Sequence, residues 1–367
     1  MLVLAEIKHR LGVVTLNSEQ TLNALSLPMI RELATVLRRW MRDDTVACVL
    51  LKGAGEKAFC AGGDVRKLRD AIIAGRVAVP GKVPPDCVDF FAEEYRLDYL
   101  IHRYPKPIIV WGDGIVMGGG IGLLAGASHR VVTEKSKLAM PEITIGLYPD
   151  VGGTYFLNRM PSAFGLYLGM TGTRLNGADI LFLGWADFLL SSAALDTLLQ
   201  LLASVDWSGD AFEAVSSVLR ELTQTGPSVA ADHAGFVQLF ESVGSVDEFA
   251  ATLLTADTND EWIAAGVRGF AAGSPSSAHI IFRQLSEGRA SNLEDAFRSE
   301  LNLSCQCCLH PDLVEGVRAL LVDKDQKPGW QPASLSAVTS DWIDSYFSPL
   351  WNPDDHPLKD LGKNSGN

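Results

Sequence analysis

From Leu2 to Leu16 apolar and polar residues interleave at short period around a polar His9-Arg10 break, which predicts two short strands joined by a turn over His9 to Gly12. The period then lengthens. Ile30, Leu33, Leu37 and Trp40 fall at helical spacing, Ser26 stands where an N-cap accepts from the first unpaired N–H groups, and Pro28 suits the first turn. Thr45 to Lys52 (TVACVLLK) is a nearly unbroken apolar run that predicts a buried strand.

Two glycine loops punctuate the next stretch of chain. The first runs from Gly53-Ala54-Gly55 through Phe59-Cys60-Ala61-Gly62-Gly63-Asp64 into a helical VRKLRDAI stretch. Pro80 to Pro85 predicts a loop, FFAEEYRLDYLIHRY a helix, and Pro107 to Val110 another buried strand. The second glycine loop, Met117-Gly118-Gly119-Gly120, leads into IGLLAGAS and a strand RVVTE that ends at Glu134. Beyond about residue 180 strand signals fade and helical patterns dominate to about residue 320. Gly226 to Gly235 and Asp257 to Asp260 have loop composition, and Ser291-Asn-Leu-Glu294 has capping-box spacing before a helix through Leu303. The closing GKNSGN predicts a frayed tail. The change of character divides residues 1–200, a core with strands, from residues 201–360, a mainly helical region.

Composition sets limits on what such a chain can do. Its 367 residues are 47% hydrophobic and 20% charged, enough to bury a large core and too apolar for a disordered chain. Asp and Glu number 44 against 31 Lys and Arg, and the net charge of -13 repels a phosphate backbone, so nucleic acid is not the expected partner. The longest charge-free apolar stretch, Gly114 to Ser128, is too short to span a bilayer. Glu6, Lys8 and His9 interrupt the region where a signal peptide carries its apolar core, which points to the cytoplasm, or to the mitochondrion for a chain whose presequence has been removed. Six cysteines suit a reducing compartment better than a disulfide framework, and the Cys305, Cys307, Cys308 cluster has no second ligand pair at zinc spacing.

Three features suggest chemistry. Gly120-Ile-Gly122-Leu-Leu-Ala125 satisfies the dinucleotide pattern and Glu134 ends the next strand as a ribose ligand would, but about ten residues are too few for a crossover helix. A glycine loop opening a helix can instead aim unpaired N–H groups at developing negative charge, and Gly63 with Gly119 form the natural donor pair for an oxyanion. The segment Met140 to Thr154 places Glu142 and Asp150 in apolar surroundings rich in glycine and proline, where burying a carboxylate is costly without a function. Acid/base or nucleophilic work by that pair is the preferred reading. No G-x-S-x-G elbow, triad or metal spacing competes with it, and Cys60 reads as a packed thiol.

KAFCAGGDVRKL and KPIIVWGDGIVMGGGIGLLAGASHRVVTEKSKLAMPE resemble the two signature stretches of the crotonase (enoyl-CoA hydratase/isomerase) superfamily. The resemblance implies an α/β protein with a crotonase-like ββα spiral core and a helical C-terminal region. It also implies an acyl-CoA substrate whose thioester carbonyl is held by the Gly63 and Gly119 N–H groups, with Gly118 and Asp64 beside it as substrate-binding positions. Hydratases of the superfamily carry a glutamate where this chain has Gly122, so half of their acid/base pair is missing. Asp150 stands where hydratases usually have glycine, and MPEITIGLYPDVGGTYFL is similar to the motif of the 3-hydroxyisobutyryl-CoA hydrolase branch. FFAEEYRLDYLI carries that branch's acidic pair, with Glu94 at a substrate-binding position. SPSSAHIIFRQL and HPDLVEGVRALLVDKDQKPGWQP resemble its C-terminal signatures.

The resemblance thus implies hydrolysis of 3-hydroxyisobutyryl-CoA, or a related 3-hydroxyacyl-CoA, to the free acid and CoA, a step of valine breakdown. Glu142 and Asp150 are the expected catalytic residues. No metal or redox cofactor is expected, and a homo-oligomer is in keeping with the superfamily. An enoyl-CoA hydratase or isomerase is the alternative.

Overall fold

The computed structural model describes residues 1–256 and 258–363. Asp257 and residues 364–367 lie outside it, and with them most of the predicted tail and the first residue of the predicted 257–260 loop. The chain divides into two units, each assembled from separated stretches. One comprises Met1–Gly63, Leu97–Ala139 and Arg174–His233, the other Asp64–Arg96, Met140–Thr173 and Ala234–Asn367.

The first unit holds ten strands. They are β1 (Val3–Lys8), β2 (Leu11–Leu16), β3 (Cys48–Gly53), β4 (Ala58–Cys60), β5 (Ile108–Gly112), β6 (Ile115–Met117), β7 (His129–Thr133), β8 (Lys137–Ala139), β9 (Leu175–Asn176) and β10 (Phe188–Leu190). A six-stranded sheet has the order β1-β2-β3-β5-β7-β10, and a four-stranded sheet the order β4-β6-β8-β9. The expected hairpin is present: β1 pairs antiparallel with β2, and His9 and Arg10 take positive φ between them. From β2 to β10 the large sheet is parallel, which explains why TVACVLLK and PIIV carry no polar alternation. One face packs Leu11, Val13, Leu50, Ile109, Trp111 and Val131 against Leu198, Leu202, Val215 and Leu219 of two covering helices, Leu195–Ala203 and Ala211–Leu222.

The helix predicted between β2 and β3 runs Leu27–Met41. Ser26 Oγ accepts from Met29 N–H, and Ile30, Leu33, Leu37 and Trp40 are buried. The predicted loop from Gly226 to Gly235 contains a helical turn, Val229–Asp232. Its cause is a buried acid that local composition does not reveal: Asp179 Oδ1 accepts from Ser228 Oγ and from Ala230 N–H, pinning the start of the turn.

The second unit is helical. Its helix Leu293–Leu309 begins one residue later than the capping-box pattern suggests, because Asn292 supplies the cap that accepts from Asp295 N–H. It also continues past Leu303 to Leu309, since Ser304 to Cys308 are buried and extend its packed face. All six cysteines are free and buried. Among the described residues no cluster of His, Cys, Asp and Glu is arranged to hold a metal ion, and no helix is long and apolar enough to cross a membrane.

Candidate active site

The first unit places the two glycine loops against one another. Leu25 N–H donates to Gly62 carbonyl at 2.8 Å, and Leu25 pairs with Gly63 in a parallel bridge that fixes the path of the first loop. Gly62 sits at φ 99°, and a Cβ built there would lie 3.1 Å from the carbonyl oxygen of Met117 in the second loop. A Cβ on Gly120 would come within 2.5 Å of the Cys60 carbonyl oxygen. Glycine is therefore a steric requirement of this approach. Gly118, at φ 47°, turns the chain into the helix Gly119–Ala125. Gly119 is that helix's first residue, so its N–H has no intrahelical acceptor, as expected of an anion donor.

The dinucleotide pattern has a structural explanation. β6 and β7 flank the helix Gly119–Ala125 but belong to different sheets, so the segment is no βαβ crossover within one sheet. Glu134 is engaged locally, accepting from Ser192 N–H at 2.8 Å and from Ser192 Oγ at 2.5 Å.

The second unit carries the acidic candidates. Asp64 caps the helix Val65–Ala78, its Oδ1 accepting from Lys67 N–H at 3.3 Å. Glu94, Glu142 and Asp150 are each at least 95% buried, with exposures of 2%, 5% and 5%. Glu94 lies on the helix Pro85–His102, and its Oε1 has no hydrogen-bond partner. Glu142 opens a 3-10 turn, Glu142–Ile145, and its Oε2 is likewise without a partner. Burial pushes both carboxyls well above the usual range, and the charge of Asp150 pushes each further. Burial raises Asp150 to about 6, against the bond it accepts from Tyr95. Neutral or strongly basic carboxyls with open oxygens are suited to moving protons and attacking carbonyl carbon.

Residues that pattern reasoning passed over hold these carboxyls in place. Tyr95 Oη donates to Asp150 Oδ2 at 2.7 Å and lies 2.8 Å from Ser304 Oγ, which in turn lies 2.8 Å from Tyr148 Oη. Glu300 accepts from Gly152 N–H at 2.7 Å and Thr154 N–H at 2.8 Å, one on each carboxylate oxygen. Gln284 Nε2 donates to the Pro149 carbonyl at 2.8 Å. The turn after Glu142 is braced from the C-terminal motifs as well. Gly146, at φ 72°, leaves room for the Asp312 carbonyl, and Asp312 accepts from Ser274 Oγ at 2.6 Å and from Gln331 N–H at 2.9 Å. The motifs SPSSAHIIFRQL and HPDLVEG…GWQP thus supply the supports of the two turns that carry Glu142 and Asp150. One signal was available: Glu300 precedes the apolar run LNLSCQCCL, and a lone acid on a helix face of that kind needs a buried partner.

A family model described as enoyl-CoA hydratase/isomerase matches residues 11–347. The chain belongs to that family. Within it, the chain is 39% identical to the mitochondrial 3-hydroxyisobutyryl-CoA hydrolase of Danio rerio, over 97% of this chain and 91% of that protein. It is 41% identical to the enzyme of the same name from Xenopus tropicalis, over 94% of this chain and 88% of that protein. Among solved structures of the family, a carnitinyl-CoA dehydratase from Mycobacterium thermoresistibile superposes with a TM-score of 0.85 at 34% identity, covering 95% of this chain and 97% of that one. The expected α/β crotonase-type core with a helical C-terminal region is what this enoyl-CoA hydratase/isomerase family member has.

Proposed function

We propose that this protein hydrolyses the thioester of 3-hydroxyisobutyryl-CoA, or of a closely related 3-hydroxyacyl-CoA, to the free hydroxy acid and CoA. The observation that carries the reading is the trio of buried carboxyls, Glu94, Glu142 and Asp150, two of which keep an unpartnered oxygen. The full-length likeness to hydrolases of that name supports it, as does glycine at position 122, where a hydratase needs its second acid.

In this reading the carbonyl oxygen of the thioester accepts from the N–H groups of Gly63 and Gly119. Each good oxyanion donor is worth about 3 kcal/mol of barrier. Glu142 acts on the acyl carbon, either adding to it to give a mixed anhydride or drawing the proton from an attacking water. The C–S bond breaks, the electron pair leaves on sulfur, and Asp150 supplies the proton that converts the thiolate to CoA thiol. Water supplies the oxygen of the acid and restores that proton. Glu94 accepts from the substrate's 3-hydroxyl and so selects hydroxyacyl chains, with Gly118 and Asp64 beside the donors. A thiolate is a fair leaving group once the oxyanion is held, so the reaction calls on no metal or redox cofactor. The two hydrolases named above are mitochondrial; the chemistry is the same in the cytoplasm.

The test is the fate of 3-hydroxyisobutyryl-CoA incubated with the purified protein and followed by mass. Hydrolysis gives free CoA and the hydroxy acid. A dehydratase would give the unsaturated thioester with CoA still attached, and that product in place of free CoA would refute the proposal.

A further inference from the structure

Four short oxygen–oxygen contacts run in line from Asp150. They are Asp150 Oδ2 to Tyr95 Oη (2.7 Å), Tyr95 Oη to Ser304 Oγ (2.8 Å), Ser304 Oγ to Tyr148 Oη (2.8 Å) and Tyr148 Oη to the Glu300 carbonyl oxygen (2.7 Å). All the participants are buried. The three hydroxyls carry three protons, one fewer than the contacts.

Counting protons shows what this deficit permits. With Asp150 ionised, Tyr148 donates to Ser304, Ser304 to Tyr95 and Tyr95 to the carboxylate, and the Glu300 carbonyl contact carries no proton. With Asp150 protonated, the carboxyl donates to Tyr95, Tyr95 to Ser304, Ser304 to Tyr148 and Tyr148 to the Glu300 carbonyl, so that every contact is filled. Apart from the proton on Asp150 itself, the two arrangements differ only by rotation of hydroxyl hydrogens, since each hydroxyl oxygen keeps its own proton. A serine and two phenols can each donate in one direction and accept from the other, whereas an amide or a backbone N–H in their place would fix the direction.

We infer that Tyr95, Ser304 and Tyr148 form a reversible hydroxyl chain that accommodates both charge states of Asp150 without movement of any heavy atom, and that they are positioning residues for the reaction. The inference rests on the hydrolase reading, in which Asp150 gives a proton to the departing thiolate and regains one from water within each turnover. A fixed donor would hold the carboxyl in one state. The chain lets it return at little cost in an interior where an unpaired polar group is expensive. The other titratable groups that sense the Asp150 charge are Glu94 on the helix Pro85–His102, Glu142 on its 3-10 turn, and Glu300 and Cys307 on the helix Leu293–Leu309. None of these four lies in the chain through its side chain.

The chain makes a prediction in which two substitutions act in opposite directions. Tyr95→Phe removes the donor to the ionised carboxylate, so the apparent pKa of Asp150 rises. Ser304→Ala removes the alternative acceptor for the Tyr95 proton, which then points at Asp150 permanently, so the apparent pKa falls. Shifts of about one pH unit each way are expected. Ser304→Thr keeps the hydroxyl and should restore the wild-type value. The readout is a pH titration of carboxyl resonances in carbon-13 aspartate-labelled protein, with Asp150 assigned by its loss in Asp150→Asn. Steady-state kinetics on the same variants should show kcat reduced about tenfold with KM little changed, if each removes part of a proton-transfer contribution. Opposite shifts with rescue by threonine support the chain. Shifts in the same direction, a shift in one variant only, or none in either would overturn it. The resonance titration needs no turnover, so failure of the protein to release CoA would refute the hydrolase reading and leave the chain judged on its own result.

Discussion

Glu300 and Gly152 are joined by a 2.7 Å hydrogen bond in which the buried carboxylate accepts from the turn two residues after Asp150. The second carboxylate oxygen takes the Thr154 N–H, so a single side chain satisfies two donors at the start of the short helix Gly153–Leu157. Burial raises the Glu300 carboxyl to about 8, against the pull of those bonds. Leaving a buried N–H without its partner costs about 1–3 kcal/mol, and both N–H groups would lose theirs if this side chain were removed. Glu300→Ala should therefore lower the unfolding free energy by about 2–4 kcal/mol, read as the shift of the urea midpoint at constant slope. A change under about 0.5 kcal/mol, the usual range of a surface substitution, would show that the turn finds other partners.

Glu142→Gln keeps the shape of the side chain and removes its capacity as base or nucleophile. Turnover should drop by about 10²–10⁴, the range lost with a general base, while the thermal midpoint stays close to the wild type. A rate near that of the wild type would take Glu142 out of the mechanism.

Asp150→Gly introduces the residue that the resemblance places at this position in hydratases. CoA release from a 3-hydroxyacyl thioester should fall by at least about 10²-fold, because both the proton source for the thiolate and the Tyr95 contact are lost. Unchanged release would remove the residue on which the assignment to the hydrolase branch leans.

Close packing of the glycine loops gives a third catalytic prediction. In Gly120→Ala the new methyl group meets backbone and Cβ atoms of Cys60 at 2.5 and 2.9 Å, and neither can swing aside as a long side chain would. The loop must shift, carrying the adjacent Gly119 N–H with it. Loss of one oxyanion donor costs about 10²–10³ in kcat, so a reduction of that order with little change in KM is expected. Wild-type kcat in the variant would mean that Gly119 N–H does not serve the oxyanion.

The stability of the fold should also depend on the charge of Asp150. Its carboxyl is held at about 6 in the folded protein, above its unfolded value of ~3.9. A carboxyl raised on folding contributes stability below the unfolded pKa, and that contribution is lost as pH rises through the folded pKa. Between about pH 4 and about pH 7 the wild type should lose about 2–3 kcal/mol relative to Asp150→Asn, whose amide does not titrate. Urea unfolding of both proteins across that range measures the difference, and a wild type that gains on the variant as pH rises would reverse the sign.

Much of the first unit was legible in the sequence because its elements follow local rules. The cap at Ser26, the spacing of Ile30 to Trp40 and the apolar runs of β3 and β5 each mark their element within a few residues. The shortest strands, β4, β6, β8, β9 and β10, have two or three residues each, too few for any period to show. Glu142 and Asp150 were conspicuous because two carboxylates in an apolar run are expensive. Tyr95 and Ser304 were not, since a tyrosine and a serine on helices are ordinary, and a sequence separation of 209 hides a 2.8 Å contact. Gly62 and Gly120 show the same limit: a glycine-rich loop is visible in the chain, but the carbonyl that forbids a side chain comes from the other loop.

The most direct test of the account is acid-quenched mass analysis of CoA release by the wild-type protein, with 3-hydroxyisobutyryl-CoA and crotonyl-CoA run side by side. Release of CoA from the hydroxyacyl thioester, with crotonyl-CoA left essentially unchanged, is the predicted result. Addition of water to crotonyl-CoA without CoA release from either substrate would contradict it, and would make this protein a hydratase that works without an acid at position 122.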